Sequence, residues 1–139
     1  MVPHRTLTID QASESSVMKN MKVVLVVEDD AIQRMNAVGL VEDAGFAALE
    51  AASVDEALKV LESGADISVL FTDISTPGRT NGLELARYVS ERYPAVQIII
   101  VSGNAFAVDD PMPTGSTFFA KPYRNEHIVR ALQRDVTLH

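Results

Sequence analysis

Four short apolar stretches of this chain each stop on a polar residue: 23–27 on Glu28, 67–72 on Asp73, 97–101 on Ser102 and 117–120 on Lys121. Between them lie segments whose apolar residues recur at helical spacing, so strand-sized and helix-sized pieces alternate along the chain. Such alternation selects a mostly parallel sheet with helices on both faces. Parallel strands deliver their C-terminal ends to one edge. Here that edge would collect carboxylates, a hydroxyl and an ammonium.

Individual elements follow from local chemistry. Val23-Val24-Leu25-Val26-Val27 has the β-branched character of a central strand buried on both faces. A helix is expected over 31–44, with Ala37, Leu40, Val41 and Ala44 on one face and Gly45 as its stop. A second strand over 47–51 leads into Ser53-Val54-Asp55-Glu56, a capping box that opens a helix burying Ala57, Val60 and Leu61 and ending at Gly64. After the strand closed by Asp73, residues 75–82 form a loop rich in turn residues, and Leu85, Ala86 and Val89 line a third helix that stops before Pro94. The last helix, over 125–136, carries Ile128, Ala131, Leu132 and Val136 on one stripe. Between Gly103 and Ser116, Pro111, Pro113 and Gly115 predict a short or irregular element.

Composition narrows the function classes. A chain of 139 residues, 47% of them hydrophobic, fits one domain with a full core. Residues 1–20 lack any sustained period and read as a flexible N-terminal extension to a domain over 21–139. Twelve basic against nineteen acidic residues give a formal charge of −7 with no basic stretch, which argues against nucleic acid as a direct partner. Absence of cysteine excludes disulfides and thiolate ligands. The longest apolar run, 23–27, is far short of the roughly 20 residues needed to cross a bilayer, and no signal-peptide core opens the chain. The expectation is a cytoplasmic protein without a membrane partner.

In open α/β sheets the ligand crevice lies at the strands' C-terminal ends, and the flavodoxin-like order 2-1-3-4-5 is the arrangement expected here, as a three-layer sandwich. Crowded carboxylates repel one another, and a divalent cation resolves the conflict. Mg²⁺, or Mn²⁺ in its place, accepts hard oxygen ligands from one or two carboxylates, and Glu28, Asp29 and Asp73 form a partial shell for it. Asp73 is then the candidate nucleophile for a phosphoryl group, with Lys121 and the Ser102 hydroxyl binding phosphoryl oxygens. No Gly-rich nucleotide loop follows the first strand, so no cofactor beyond the metal is expected.

With these residues assembled, the chain over 21–136 resembles the receiver domain of two-component response regulators. Leu25-Val26-Val27-Glu28-Asp29-Asp30 is similar to the family's acidic-pair strand, Asp73 with Pro77 and Gly82 to its phospho-acceptor loop, Ser102 to its switch hydroxyl, and Lys121-Pro122 to its lysine–proline signature. The resemblance implies that Glu28, Asp29, Asp73 and the backbone carbonyl of Ser75 hold Mg²⁺. It further implies that a histidine kinase or histidine phosphotransfer protein supplies the phosphoryl group, and that Ser102 and Phe118 form a switch. Three departures stand out. Phe118 lacks the hydroxyl of the frequent Tyr, the segment before Lys121 is short and proline-interrupted, and the loop after Asp73 is about one residue long relative to the common form. With only Thr137-Leu138-His139 after the last helix, the resemblance is to stand-alone regulators that act by protein–protein contact or phosphate relay.

Each motif alone has a plainer reading. Glu28-Asp29-Asp30 could be a solvated helix start, Asp73 to Pro77 a turn, and Ser102-Gly103 and Lys121-Pro122 ordinary loop dipeptides. Their joint placement at four strand ends favours the combined site. Two other functions remain open on sequence: a receiver-like binding module that signals without phosphate, and a phosphohydrolase with an Asp nucleophile. The second requires an acid two residues past Asp73, where Ser75 stands.

Overall fold

The computed structural model describes residues 21–74, 82–103 and 112–137. The N-terminal extension, Ser75 and the rest of the loop to 81, the 104–111 part of the expected irregular element and the side chain of Val136 lie outside the described residues. In chain order the elements are β1 (Val23–Val27), α1 (Ala31–Asp43), β2 (Ala47–Ala51), α2 (Val54–Glu62), β3 (Val69–Asp73), α3 (Gly82–Arg92), β4 (Gln97–Ser102), β5 (Ser116–Ala120) and α4 (Asn125–Thr137). All neighbouring strands pair in parallel, and the sheet order is 2-1-3-4-5, as expected.

Strand alternation sends side chains to two separate cores. Leu25, Leu49, Leu70 and Ile100 pack on one face against Ala57, Val60 and Leu61 of α2 and Leu85, Ala86 and Val89 of α3. Val24, Val26, Phe71, Ile99 and Val101 pack on the other against Ala37, Val38 and Val41 of α1 and Ile128, Ala131 and Leu132 of α4. β1 and β3 are buried along their whole length, which is why their sequences show unbroken apolar runs rather than alternation. Phe118 and Phe119 divide between the two faces.

Helix starts follow the capping chemistry. Ser53 Oγ accepts from Glu56 N–H at 3.1 Å, and the Glu56 carboxylate accepts from Ala52 N–H at 2.9 Å. Gly45 has φ +98°, the left-handed stop that follows α1. Several bounds differ from the sequence expectation, among them those of β5, which begins at Ser116, and β4, which takes in Ser102. β3 begins at Val69 rather than at 67, because Ile67 is buried in the core before the strand pairing begins. α1 ends at Asp43, with Ala44 as a partly buried cap while Val38 joins the buried stripe. α4 extends to Thr137. Among the described residues no helix is long and apolar enough to cross a membrane.

Candidate functional site

The sheet register places the polar strand ends side by side. Glu28 continues the β1–β2 ladder, donating its N–H to Ala51 O at 3.0 Å. Asp73, the last residue of β3, is the rung partner of Val101 in β4, and Ile74 N–H donates to Val101 O at 2.9 Å. Lys121 N–H donates to Ser102 O at 2.8 Å, which ties the end of β5 to the end of β4. The Lys121–Pro122 peptide bond is cis. Glu28, Asp73 and Ser102 are all buried.

Lys121 Nζ donates to Asp73 Oδ2 at 2.5 Å, to Glu28 Oε1 at 3.2 Å and to Gln33 Oε1. Ser102 is in phase with Ile98 and Ile100, whereas Asp73 is in phase with Val69 and Phe71, so the hydroxyl flanks the carboxylate from the opposite side of the sheet edge. Asp29 is exposed, and its carbonyl receives Arg34 Nη1 at 3.5 Å. Asp30 caps α1, accepting from Gln33 N–H at 2.8 Å. The plainer reading of the acidic run as a helix start therefore describes Asp30, while Glu28 belongs to the buried cluster.

One ammonium facing two buried carboxylates leaves an excess negative charge. Burial pushes the Glu28 carboxyl up, the hydrogen bond shared with Asp73 adds to it, and the pKa reaches about 7 against an ordinary 4.5. The Asp30 N–H and Lys121 pull in the opposite direction without offsetting this. For Lys121, burial favours the neutral amine, but hydrogen bonding and charge from Asp73 and then Glu28 outweigh it and raise the pKa above its ordinary value. The ammonium stays charged, and the crowded carboxylate pair holds a proton on Glu28 up to about pH 7.

The cluster opens into a cavity of about 420 Å³ whose lining includes Glu28, Gln33, Asn36, Asp73, Lys121 and Tyr123. Among the described residues no three His, Cys, Asp or Glu side chains are gathered closely enough to hold a metal by themselves. The donor set nevertheless fits Mg²⁺, which keeps most of its waters and needs only one or two carboxylates. Glu28 and Asp73 would supply oxygen ligands, and Asp29 stands exposed beside them.

Two participants were missed in the sequence. Gln33 lies three residues after the Asp30 cap, the spacing of a capping box, yet Glu28 Oε2 already accepts the Asp30 N–H at 3.1 Å. The Gln33 amide turns instead to Lys121. The Asp-x-x-Gln spacing was the available signal. Arg34 is the second, and its signal was weaker: a lone cation one turn after an acidic run. Phe118 is partly buried against the α2/α3 core, and beside the cluster Tyr123 packs with its ring centroid 6.2 Å from that of Phe71.

Comparison with known proteins agrees with this architecture. The family model described as the response regulator receiver domain matches residues 24–133. The sensor kinase CckA of Brucella abortus (strain 2308) is 30% identical over 117 residues, covering 81% of this chain and 12% of that protein. The response regulator receiver protein CpdR of the same strain is 29% identical over 117 residues, covering 82% of this chain and 96% of CpdR. The solved receiver domain of the hybrid histidine kinase CckA superposes with a TM-score of 0.68 at 28% identity, covering 82% of this chain and 98% of that one. The chain spans a quarter or less of the length of the sensor kinase and of the NtrX-like putative response regulators from Rickettsia. With 24–133 taking in the whole sheet edge, the first three helices and most of α4, the chain belongs to the response regulator receiver domain family, the signalling modules of two-component systems.

Proposed function

We propose that Asp73 accepts a phosphoryl group from a histidine kinase or histidine phosphotransfer protein in a Mg²⁺-dependent reaction, and that the domain over 21–139 signals by protein–protein contact or by passing the phosphoryl group on. The observation that carries this reading is the Lys121 ammonium shared by two buried carboxylates, Glu28 and Asp73, at one sheet edge. Such an edge has a nucleophile, a cation and room for a phosphoryl group.

An Asp73 carboxylate oxygen attacks phosphorus, an acyl phosphate O–P bond forms, and the donor's P–N bond breaks, with the electron pair leaving on the imidazole nitrogen. Lys121 moves from the carboxylate to a phosphoryl oxygen, so the charge gained at Asp73 meets a cation already in place. Ser102 lies beyond the Asp73–Val101 rung, where its hydroxyl can donate to a second phosphoryl oxygen. Glu28, Asp73, Asp29 and the Ser75 carbonyl would hold Mg²⁺, which supplies charge neutralisation at the transferred group. Phe118, half-buried beside β4, is the side chain whose rotation would report the event to the neighbouring surface.

Incubating the purified chain with acetyl phosphate and Mg²⁺ tests this. The expected result is a single added phosphoryl group, absent with EDTA and absent in Asp73→Asn. Labelling that persists in Asp73→Asn would remove the assignment. Multi-turnover release of phosphate from ordinary phosphomonoesters would point to hydrolase chemistry instead.

A further inference from the structure

Every polar atom of Glu28 is engaged. Its N–H donates to Ala51 O at 3.0 Å, Oε2 accepts from Asp30 N–H at 3.1 Å, and Oε1 accepts from Lys121 at 3.2 Å. Its carbonyl oxygen accepts from Arg34 Nη1 at 2.9 Å. Arg34 Nη1 also reaches Asp29 O at 3.5 Å, while Nε donates to Glu50 Oε1 at 3.2 Å. Glu50 stands on β2 beside Ala51, the residue that receives the Glu28 N–H.

One planar guanidinium therefore spans from the β2 edge to the turn carrying Glu28 and Asp29. The Arg34–Glu50 ion pair is solvent-accessible, and pairs of that kind add little to stability. Its consequence is directional. The carbonyls of Glu28 and Asp29 belong to the peptide planes that set how the next residues leave the strand, so holding them fixes the exit directions of the acidic side chains. Arg34 also places a permanent positive charge behind the turn. Lysine, with a single ammonium, cannot serve two separated acceptors through a rigid fork.

We propose that Arg34, anchored by Glu50, is a positioning residue for divalent-cation binding: it holds the β1–α1 turn so that Glu28 and Asp29 face the cation. This rests on the reading of Glu28, Asp29 and Asp73 as metal ligands. Residues that orient metal ligands without touching the ion typically cost about 10- to 100-fold in metal affinity when removed.

Mn²⁺ binding to the full chain, followed by electron paramagnetic resonance, tests the proposal. Arg34→Ala and Arg34→Lys are each expected to weaken Mn²⁺ by about tenfold. Glu50→Gln, which keeps an acceptor oxygen, is expected to weaken it less. The acetyl phosphate reaction should show the same shift in half-saturating Mg²⁺ with an unchanged maximal rate, and the urea midpoint should stay near wild type. In the metal-free protein, amide hydrogen exchange at Asp30 should accelerate in Arg34→Ala while exchange in β3 does not. Unchanged Mn²⁺ affinity beside a wild type that binds would overturn the proposal, as would a loss of affinity that merely tracks a fallen urea midpoint. If wild type itself fails to bind Mn²⁺, the phospho-acceptor reading falls, and unchanged Asp30 exchange would then dispose of the Arg34 role on its own.

Discussion

Lys121 and Asp73, 48 residues apart in the chain, meet through a 2.5 Å contact between Nζ and Oδ2, with the Asp73 side chain 4% exposed. Glu28 shares the same ammonium, so one cation serves both carboxylates. Truncating Lys121 removes from two buried carboxylates the ammonium that contacts both. Lys121→Ala is expected to destabilise the metal-free protein by about 3 kcal/mol, the order found when a buried ion pair loses one member. Urea unfolding at neutral pH measures this. Combining Lys121→Ala with Asp73→Asn should recover most of the loss, because only one buried carboxylate then remains.

The raised Glu28 pKa gives a pH dependence with a definite sign. In the unfolded chain the group titrates near 4.5, and in the folded protein near 7, so between these values the folded state binds the extra proton. Its contribution to stability is fully present below 4.5 and is lost as pH rises through about 7. Unfolding midpoints of wild type minus Glu28→Gln, measured without metal across that range, should fall as pH rises. Adding Mg²⁺ should flatten the slope at its upper end, since the ion replaces the proton. A difference that rises with pH would contradict the assignment.

Gly82 opens α3 directly against the end of β3. A Cβ there would stand 2.6 Å from Thr72 Oγ1, 2.7 Å from Asp73 O and 2.9 Å from Ile74 Cγ2. Two of the three are side-chain atoms, but the Asp73 carbonyl is backbone and cannot yield without moving the carboxylate. Gly82→Ala is expected to lower stability by about 1–3 kcal/mol and to slow acetyl phosphate labelling. Thermal unfolding and labelling rates check both. Gly103→Ala is the control for stability, since a Cβ at that position would meet nothing within 4 Å.

Gly103 bears on lifetime as well. It is exposed beside Ser102, and among the described residues a Cβ there would meet nothing within 4 Å, so water is expected to reach a phosphoryl group on Asp73. The acyl phosphate is expected to be short-lived, and Gly103→Val to lengthen its lifetime several-fold by covering that approach. The decay of labelled protein after removal of acetyl phosphate measures it. A wild-type lifetime of many hours would contradict the expectation.

The strands were legible because a doubly covered parallel sheet demands apolar residues on both faces, and Val23 to Val27 declares this without reference to anything distant. Convergence of Glu28, Asp73 and Lys121 was legible for a related reason: parallel strands of similar length must finish at one edge. What could not be read was the second set of partners. Gln33 carries the mark of a capping residue, and only the competition of Glu28 Oε2 for the same N–H turns it toward Lys121. The Arg34 fork depends on the register that sets Glu50 level with Val26 across the β1–β2 ladder, which no local spacing encodes. Ile67 illustrates the opposite error: its apolar character suits a strand, yet it fills the core from an irregular segment.

The sheet order has a consequence for how this molecule can fail. Glu28, Asp73, Ser102 and Lys121 stand at the ends of four different strands, and the three inner pairings must all close before the four share one edge. A partly assembled chain holds at most a fraction of the cluster, such as Glu28 beside Asp73 when only β1 and β3 have paired. On the proposed phospho-acceptor reading, competence for phosphate requires all three inner pairings, so a damaged copy would fall silent instead of sending a false message.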